Sequence, residues 1–126
     1  MASEWEYAAR AGTQTTRYWG DGIGRNNANC NGCGSRWDYK QTAPVRSFTP
    51  NTFGLHDMLG NVLEWTCSEY KKRYDGSEQK CSVYADYYSL RGGSWNGKPR
   101  GVRAATRGHV NPDTRSDGIG FRLAQD

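Results

Sequence analysis

Four side chains in the sequence could bind a soft metal or exchange electrons: Cys30, Cys33, Cys67 and Cys81. Cys30-Asn31-Gly32-Cys33 has the Cys-x-x-Cys spacing of a redox motif, of half a zinc site or of a local disulfide. No thioredoxin-type strand and helix pattern surrounds it. Cys67 and Cys81 have thirteen residues between them, unlike a zinc knuckle. A structural role, paired locally or simply packed, is therefore favoured for Cys30 and Cys33. Cys67 and Cys81 bracket a polar, Lys-rich excursion, where a bridge would staple the base of a loop.

The second possible chemistry belongs to hard oxygen donors. Asp57 and Glu64 flank the turn Gly60-Asn61. Two carboxylates converging on a bend with free carbonyls can hold calcium, and they can equally be ordinary polar residues on a surface turn. His56 reads as a satisfied turn histidine, because no nucleophile stands in a recognisable motif with it. His109, a lone histidine among small residues, reads as a recognition side chain rather than a proton shuttle.

These residues need elements to position them. Ser3-Glu4-Trp5-Glu6 has the Ser-x-x-Glu form of a capping box, which predicts a helix from Glu4 to Ala11 stopped by Gly12, with Trp5, Ala8 and Ala9 facing inward. The Gly- and Asn-rich stretch from 13 to 35 reads as loop. Residues 41–50 read as an extended segment anchored by Val45 and Phe48, Asp57 to Gly60 as a short helical turn, and Val62 to Thr66 as a strand. In the last third, Gly92-Gly93-Ser94-Trp95 and Gly118 to Leu123 read as strands. Between them Pro99, Pro112 and several glycines forbid a long helix and predict a long loop, the usual seat of binding residues.

The 126 residues suffice for one domain, and no linker divides them. With 35% hydrophobic residues, 16 Gly, 5 Trp and 8 Tyr, the core must rely on large aromatics wrapped in irregular backbone. No apolar run is long enough for a membrane span, and no signal peptide is recognisable, so a soluble chain is expected. The net charge is +4. Arg91, Arg100, Arg103, Arg107, Arg115 and Arg122 are spread singly, which favours stapling of loop carbonyls and carboxylates over binding of nucleic acid.

Five blocks carry a resemblance: Ser-Glu-Trp-Glu-Tyr-Ala-Ala-Arg-Ala-Gly, Thr-Ala-Pro-Val, Asn-x-Phe-Gly-Leu-x-Asp-Met-Leu-Gly-Asn-Val-x-Glu-Trp, Arg-Gly-Gly-Ser-Trp and Gly-Ile-Gly-Phe-Arg-Leu. In this order, over nearly the whole chain, they resemble the formylglycine-generating-enzyme (FGE-sulfatase) family. The resemblance implies an α+β, C-type-lectin-like fold with two helical segments, small antiparallel sheets and much irregular structure. It implies a single domain over 1–126 that lacks the family's N-terminal region. It also implies a structural calcium site on Asp57, the carbonyls of Gly60 and Val62, and Glu64, and a looser second site on Asn29 and Asp38. Family members that oxidise cysteine carry two copper-binding cysteines after Arg-Gly-Gly-Ser. Here Trp95 to Arg103 contains none, so neither copper nor that activity is expected.

The closing segment resembles the variable region of diversity-generating-retroelement proteins, which display a randomised binding surface on this fold. Asn96, Gly97, Gly101, Thr106, Gly108, His109, Val110, Thr114, Ser116, Asp117 and Gly118 carry the residue set that substitution of template adenines produces. Trp95, Pro99, Arg100, Arg103, Arg107, Pro112, Asp113, Arg115 and Phe121 would be fixed anchors, and Trp95 would also contact ligand. The resulting expectation is a non-catalytic ligand-binding module for a macromolecular partner, in the first place a protein. An enzyme or enzyme-derived accessory domain of the same family is the alternative.

Overall fold

The computed structural model describes residues 1–125. One helix, α1 (Ala2–Arg10), precedes four strands: β1 (Leu63–Glu69), β2 (Tyr88–Arg91), β3 (Arg107–Val110) and β4 (Ile119–Gly120). The strands form one sheet in the order β3-β2-β1-β4, with β1/β2 and β2/β3 antiparallel and β1/β4 parallel. The α+β architecture agrees with expectation. The sheet, however, is single and mixed, and the helical content beyond α1 is two three-residue 3-10 turns, Ser77–Gln79 and Pro99–Gly101.

Helix α1 starts earlier than its Ser-x-x-Glu signature predicts. Ser3 lies inside the first turn, and Glu6 accepts from Arg10 Nε at 3.0 Å and pairs with Arg91 instead of closing a cap. The left-handed stop is Ala11, at φ 48°, one residue ahead of the expected glycine. Ala2, Trp5 and Ala9 form the buried face. Trp5 and Ala9 join Ala28, Cys30, Cys33, Met58, Leu59 and Val102 in a core cluster in which six of the eight side chains come from irregular segments.

From residue 11 to 62 the described chain has no helix or strand beyond an isolated bridge between Arg17 and Gly20. The predicted helical turn at Asp57 to Gly60 is instead a run of bends, with left-handed Asp57, Gly60 and Asn61. Side chains replace the missing ladders. Buried Arg17 donates to the carbonyls of Val102, Asp21 and Pro99 at 2.6–2.8 Å. Asn51 donates to the Ala8 carbonyl at 2.8 Å and accepts from the amides of Phe53 and Leu55. Such bonds satisfy buried backbone groups that no sheet reaches.

Three local expectations need correction. Val45 is not an anchor: it is 80% exposed, while Phe48 is buried. The strand before the closing segment ends at Arg91, because Gly92 and Gly93 leave it with positive φ. The Pro- and Gly-broken stretch between Gly92 and Gly118 is not one loop, since it contains β3, paired from Arg107–Arg91 to Val110–Tyr88.

Candidate functional site

Strand β1 pairs Glu64 with Arg91 of β2. Glu64 is 3% exposed and receives Trp5 Nε1 on Oε2 at 2.6 Å, linking strand to helix. Arg122 Nε donates to both carboxylate oxygens at 3.0 Å and its Nη2 to Oε1 at 2.7 Å, while Nη2 also reaches the His56 carbonyl at 2.9 Å. A buried carboxylate is tolerable only when neutralised and hydrogen-bonded in this way. Phe121, expected as an anchor beside Arg122, is 75% exposed.

Asp57 and Glu64 line one cleft of about 380 Å³ together with Arg46, His56, Asn61 and Arg122. Asp57 accepts the Arg46 amide on Oδ2 at 3.0 Å. His56 is satisfied through Nδ1, 3.0 Å from the Phe48 carbonyl. The left-handed pair Gly60 and Asn61 turns the backbone so that Gly60 N–H meets the Gly92 carbonyl at 2.7 Å and Asn61 N–H meets that of Asn29 at 2.8 Å. Among the described residues no donor takes the carbonyl of Gly60 or Val62. The Asp57 carboxylate and two uncommitted carbonyls around one bend are hard oxygen donors of the kind calcium takes, whereas both oxygens of Glu64 are already engaged by Arg122 and Trp5, so Glu64 fits the ion only in exchange for those bonds.

Asn61 is the residue that sequence reading missed. Its Oδ1 accepts the Ala43 amide at 2.8 Å, its Nδ2 donates to the Ala43 carbonyl, and its own carbonyl accepts Trp95 N–H at 2.8 Å. It thereby ties the segments at 43, 29 and 95 to one turn. Its place in the Gly-Asn dipeptide signals a turn but not these partners.

Asn29 and Asp38 are brought together through Ser35, whose hydroxyl lies 3.0 Å from Asn29 Oδ1 and 2.6 Å from Asp38 Oδ1. Burial alone raises the Asp38 pKa. Hydrogen bonds from the Ser35 hydroxyl and the amides of Gly34 and Ser35 outweigh it and hold the carboxyl below the ordinary aspartate value. Cys30 is paired with Cys33 and Cys67 with Cys81.

The expected binding surface falls into two groups. Trp95 donates from Nε1 to the Asp117 carbonyl at 3.2 Å, Ser94 holds exposed Asn96, and the Gly97 carbonyl accepts Asn31 N–H at 2.7 Å. The Gly118 carbonyl takes the Leu63 amide at 2.8 Å, while its own N–H rests on exposed Ser116. The other group lies on edge strand β3, where Gly108 pairs with Leu90 and Val110 with Tyr88. His109 is stacked on Tyr70 with ring centroids 4.3 Å apart and meets the Tyr87 edge, so it is one member of an aromatic cluster. Gly101 sits in the second 3-10 turn, with Thr106 reaching back to the Arg100 carbonyl at 3.5 Å. Thr114 is held by Asn111, and the connection from β3 to β4 crosses Trp65 and Tyr88 through Pro112 and Arg115.

Arginine stapling is visible at four of the six expected arginines, Arg91, Arg107, Arg115 and Arg122. Arg91 reaches the Ala104 carbonyl, Arg107 those of Lys71 and Lys72, and Arg115 those of Pro112 and Thr114. Among the described residues no cluster of three or more His, Cys, Asp or Glu side chains could hold a metal by side chains alone, and no helix is long and apolar enough to cross a membrane.

A single helix on a small mixed sheet, with long irregular segments knitted by Asn, Arg and Glu side chains, defines the class of domain. The chain belongs to the FGE-sulfatase family: the model of the sulfatase-modifying factor enzyme 1-like domain matches residues 1–126. It is 36% identical over 134 residues to inactive C-alpha-formylglycine-generating enzyme 2 of Bos taurus, covering 96% of this chain and 41% of that protein. It is also 36% identical over 147 residues to the formylglycine-generating enzyme of Mycobacterium tuberculosis, covering 98% and 49%. Among solved structures, PvdO from Pseudomonas aeruginosa superposes with a TM-score of 0.82 at 33% identity, over 95% of this chain and 49% of that one. Treponema denticola variable protein 1 superposes with a TM-score of 0.79 at 26% identity, over 96% and 44%. The chain thus spans less than half the length of these relatives.

Proposed function

We propose that the chain is a ligand-binding display module without catalytic activity, which holds a protein partner through the surface between Asn96 and Gly118 in the manner of a diversity-generating-retroelement variable protein. The observation that carries this reading is the division of labour within that segment. Trp95, Arg107 and Arg115 are tied to backbone carbonyls, whereas Asn96, Ser116 and Asp117 stand exposed between them and His109, also exposed, is stacked on Tyr70. A frame that fixes the backbone while leaving small polar side chains in water suits adaptable recognition. The likeness to the Treponema variable protein supports the same reading. Sequencing the locus tests it: a nearby near-copy of the coding segment, differing where that copy has adenine, is expected, and a locus with neither such a copy nor a reverse transcriptase sinks the idea.

The identity to proteins named formylglycine-generating enzymes favours a second reading, an enzyme or accessory domain in cysteine oxidation. Against it stand the cysteine-free stretch from Trp95 to Arg103 and the pairing of all four cysteines, which leaves no thiolate pair for copper(I). Turnover of a cysteine peptide with copper and oxygen at the level of an authentic enzyme would establish the second reading in place of the first.

Calcium is proposed as a structural ion held by Asp57 and the carbonyls of Gly60 and Val62, with Glu64 joining in exchange for its pairing with Arg122, and with Asn29 and Asp38 as a looser second set. Ions that bind only the folded state stabilise it by mass action, about 2.7 kcal/mol at a hundredfold excess over Kd. The melting temperature is expected to rise from chelator to millimolar calcium, and Asp57→Asn is expected to blunt the rise. Superimposable melts would remove calcium from the description.

A further inference from the structure

Arg91 is 2% exposed, and its Nε has no hydrogen-bond partner among the described residues. Its Nη2 is committed to the Glu6 carboxylate and to the Ala104 carbonyl, the latter at 2.8 Å. Glu78, on the 3-10 turn of the excursion, is a second such case: its Oε2 is buried and receives no donor among the described residues. Buried polar groups are nearly always hydrogen-bonded, because an unmet donor or acceptor loses its water without replacement. Both residues line one cleft of about 390 Å³, together with Glu6, Tyr7 and Arg10 of α1 and Tyr74 of the excursion. This cleft shares no residue with the one around Asp57 or with the surface between Asn96 and Gly118.

The lining of the cleft selects a ligand class. Two arginines and two glutamates stand in it, so their formal charges cancel and the set as a whole favours neither an anion nor a cation. Glu6 already holds both arginines, accepting Arg10 Nε at 3.0 Å as well as Arg91. The unmet groups are one donor, Arg91 Nε, and one acceptor, Glu78 Oε2. Hydroxyls answer both, since each can accept and donate. The rings of Tyr7 and Tyr74, 69% and 62% exposed, add two apolar faces with polar tips. Each ring is braced, Tyr7 by Phe53 at 5.7 Å between centroids and Tyr74 by Arg107 at 4.1 Å, so little freedom is lost when a ligand packs on them. Neutral hydroxyls ranged around a C–H face are the chemistry of a sugar ring. We propose that the cleft between α1 and the excursion binds a neutral carbohydrate: Arg91 Nε donates to one hydroxyl, Glu78 accepts from another, and the two tyrosines hold the ring. No divalent ion takes part, because Arg10 and Arg91 beside the carboxylates oppose one. Both unmet atoms are closed to solvent, so Glu78 swings aside as the sugar enters. It stands on a three-residue turn, whereas Arg91 is fixed in β2, so the excursion moves and the sheet does not.

The test titrates the isotope-labelled chain with methyl glucoside, galactose and N-acetylglucosamine in the presence of EDTA and follows amide shifts by NMR. Glycine and inorganic phosphate serve as charged comparators. At least one sugar is expected to shift the amides of Tyr7, Tyr74 and Glu78, with a Kd on the order of 1 mM. Tyr74→Ala and Glu78→Ala are each expected to weaken that binding at least about tenfold, and Glu78→Gln, which can still accept, to weaken it less. Tyr74 is exposed and Glu78 lies on the excursion, so the variants should keep the wild-type amide spectrum around Trp5. Asn96→Thr should bind sugar as the wild type does, which separates failure here from failure of the display reading. The inference is overturned if no sugar shifts these amides in EDTA, if glycine or phosphate shifts them at lower concentration than any sugar, or if Tyr74→Ala and Glu78→Ala bind as the wild type.

Discussion

Glu64 and Arg122 lie 58 positions apart and meet through three contacts of 2.7–3.0 Å, with Trp5 on the same carboxylate from the helix. Helix, central strand and closing segment are thereby locked at one side chain. Glu64→Ala leaves the Trp5 N–H without a partner and Arg122 without its counter-charge. Arg122 is about a third exposed, so solvent screens part of the loss. The expected cost is about 3 kcal/mol, with Glu64→Gln nearer 2 because it can still accept from Trp5. Denaturant titration measures both, and a wild-type midpoint for Glu64→Ala would refute the account.

Gly92 closes β2 at φ 104°, and a Cβ there would lie 2.8 Å from the Met58 carbonyl oxygen and 3.0 Å from the Trp5 ring. Gly101 has open space around it and no positive φ. Gly92→Ala is therefore expected to cost about 3 kcal/mol through strain and displacement of the core. Gly101→Ala should stay within roughly 0.5 kcal/mol of wild type. Thermal melts of the pair provide the contrast, and equal effects would contradict this local geometry.

Cys67, near the end of β1, and Cys81 join the ends of an excursion that holds, past Glu69, a three-residue 3-10 turn and otherwise irregular backbone among the described residues. Closing a loop of this length removes chain entropy from the unfolded state worth about 3 kcal/mol. The double variant Cys67→Ser/Cys81→Ser should lose about that much. Its amides between 68 and 80 should exchange faster, while those around Trp5 keep their protection. Uniform acceleration would mean that the bridge supports the core rather than the excursion.

The parts of the fold legible in the sequence are those with a period or a steric rule. Trp5 and Ala9 lie at helical spacing, and the run from Val62 to Thr66 has strand composition, so α1 and β1 could be placed to within a few residues. Strand β3 could not, because Gly108 and the flanking prolines disguise a segment whose strand character comes from pairing with β2. The site was half legible for the same reason. Asp57 and Glu64 stand out as carboxylates around a turn. The reach of Arg122 to Glu64, of Asn61 to Ala43 and of Ser35 to Asn29 depends on long-range packing that leaves no periodic trace. Exposure of Val45 and Phe121 was illegible too, since residue type alone says nothing of what covers it.

Acid should destabilise the protein through its loop aspartates. Hydrogen bonds from the Thr16 amide and hydroxyl lower the pKa of Asp21, those from the Ser77 hydroxyl and amide lower that of Asp75, and Asp38 is lowered despite burial. A folded pKa below the unfolded value, about 3.9, means that the unfolded chain takes up the proton first. The contribution is thus fully present above that value and lost as pH falls through the folded pKa. Asp38→Asn should flatten the acid limb of the stability curve, with its deficit largest near neutral pH. A constant deficit at all pH values would assign Asp38 a purely steric role.

The display reading also predicts how stability is distributed along the closing segment. Trp95 is bound at both backbone groups, by Tyr39 and Asn61, and through Nε1 by the Asp117 carbonyl. Arg107 holds two carbonyls of the excursion and lies over the rings of Tyr70 and Tyr74. Trp95→Ala should cost about 3 kcal/mol and Arg107→Ala about 1 to 2. Asn96→Thr, Ser116→Asn and Asp117→Thr change exposed side chains, and each should stay within about 0.5 kcal/mol of wild type. Because these positions share no partner with one another beyond the Gly118 turn, the triple variant should show nearly additive effects. A surface built to vary must tolerate all three changes together. If the triple variant unfolds while the single ones do not, the positions form a coupled structural loop rather than a display surface.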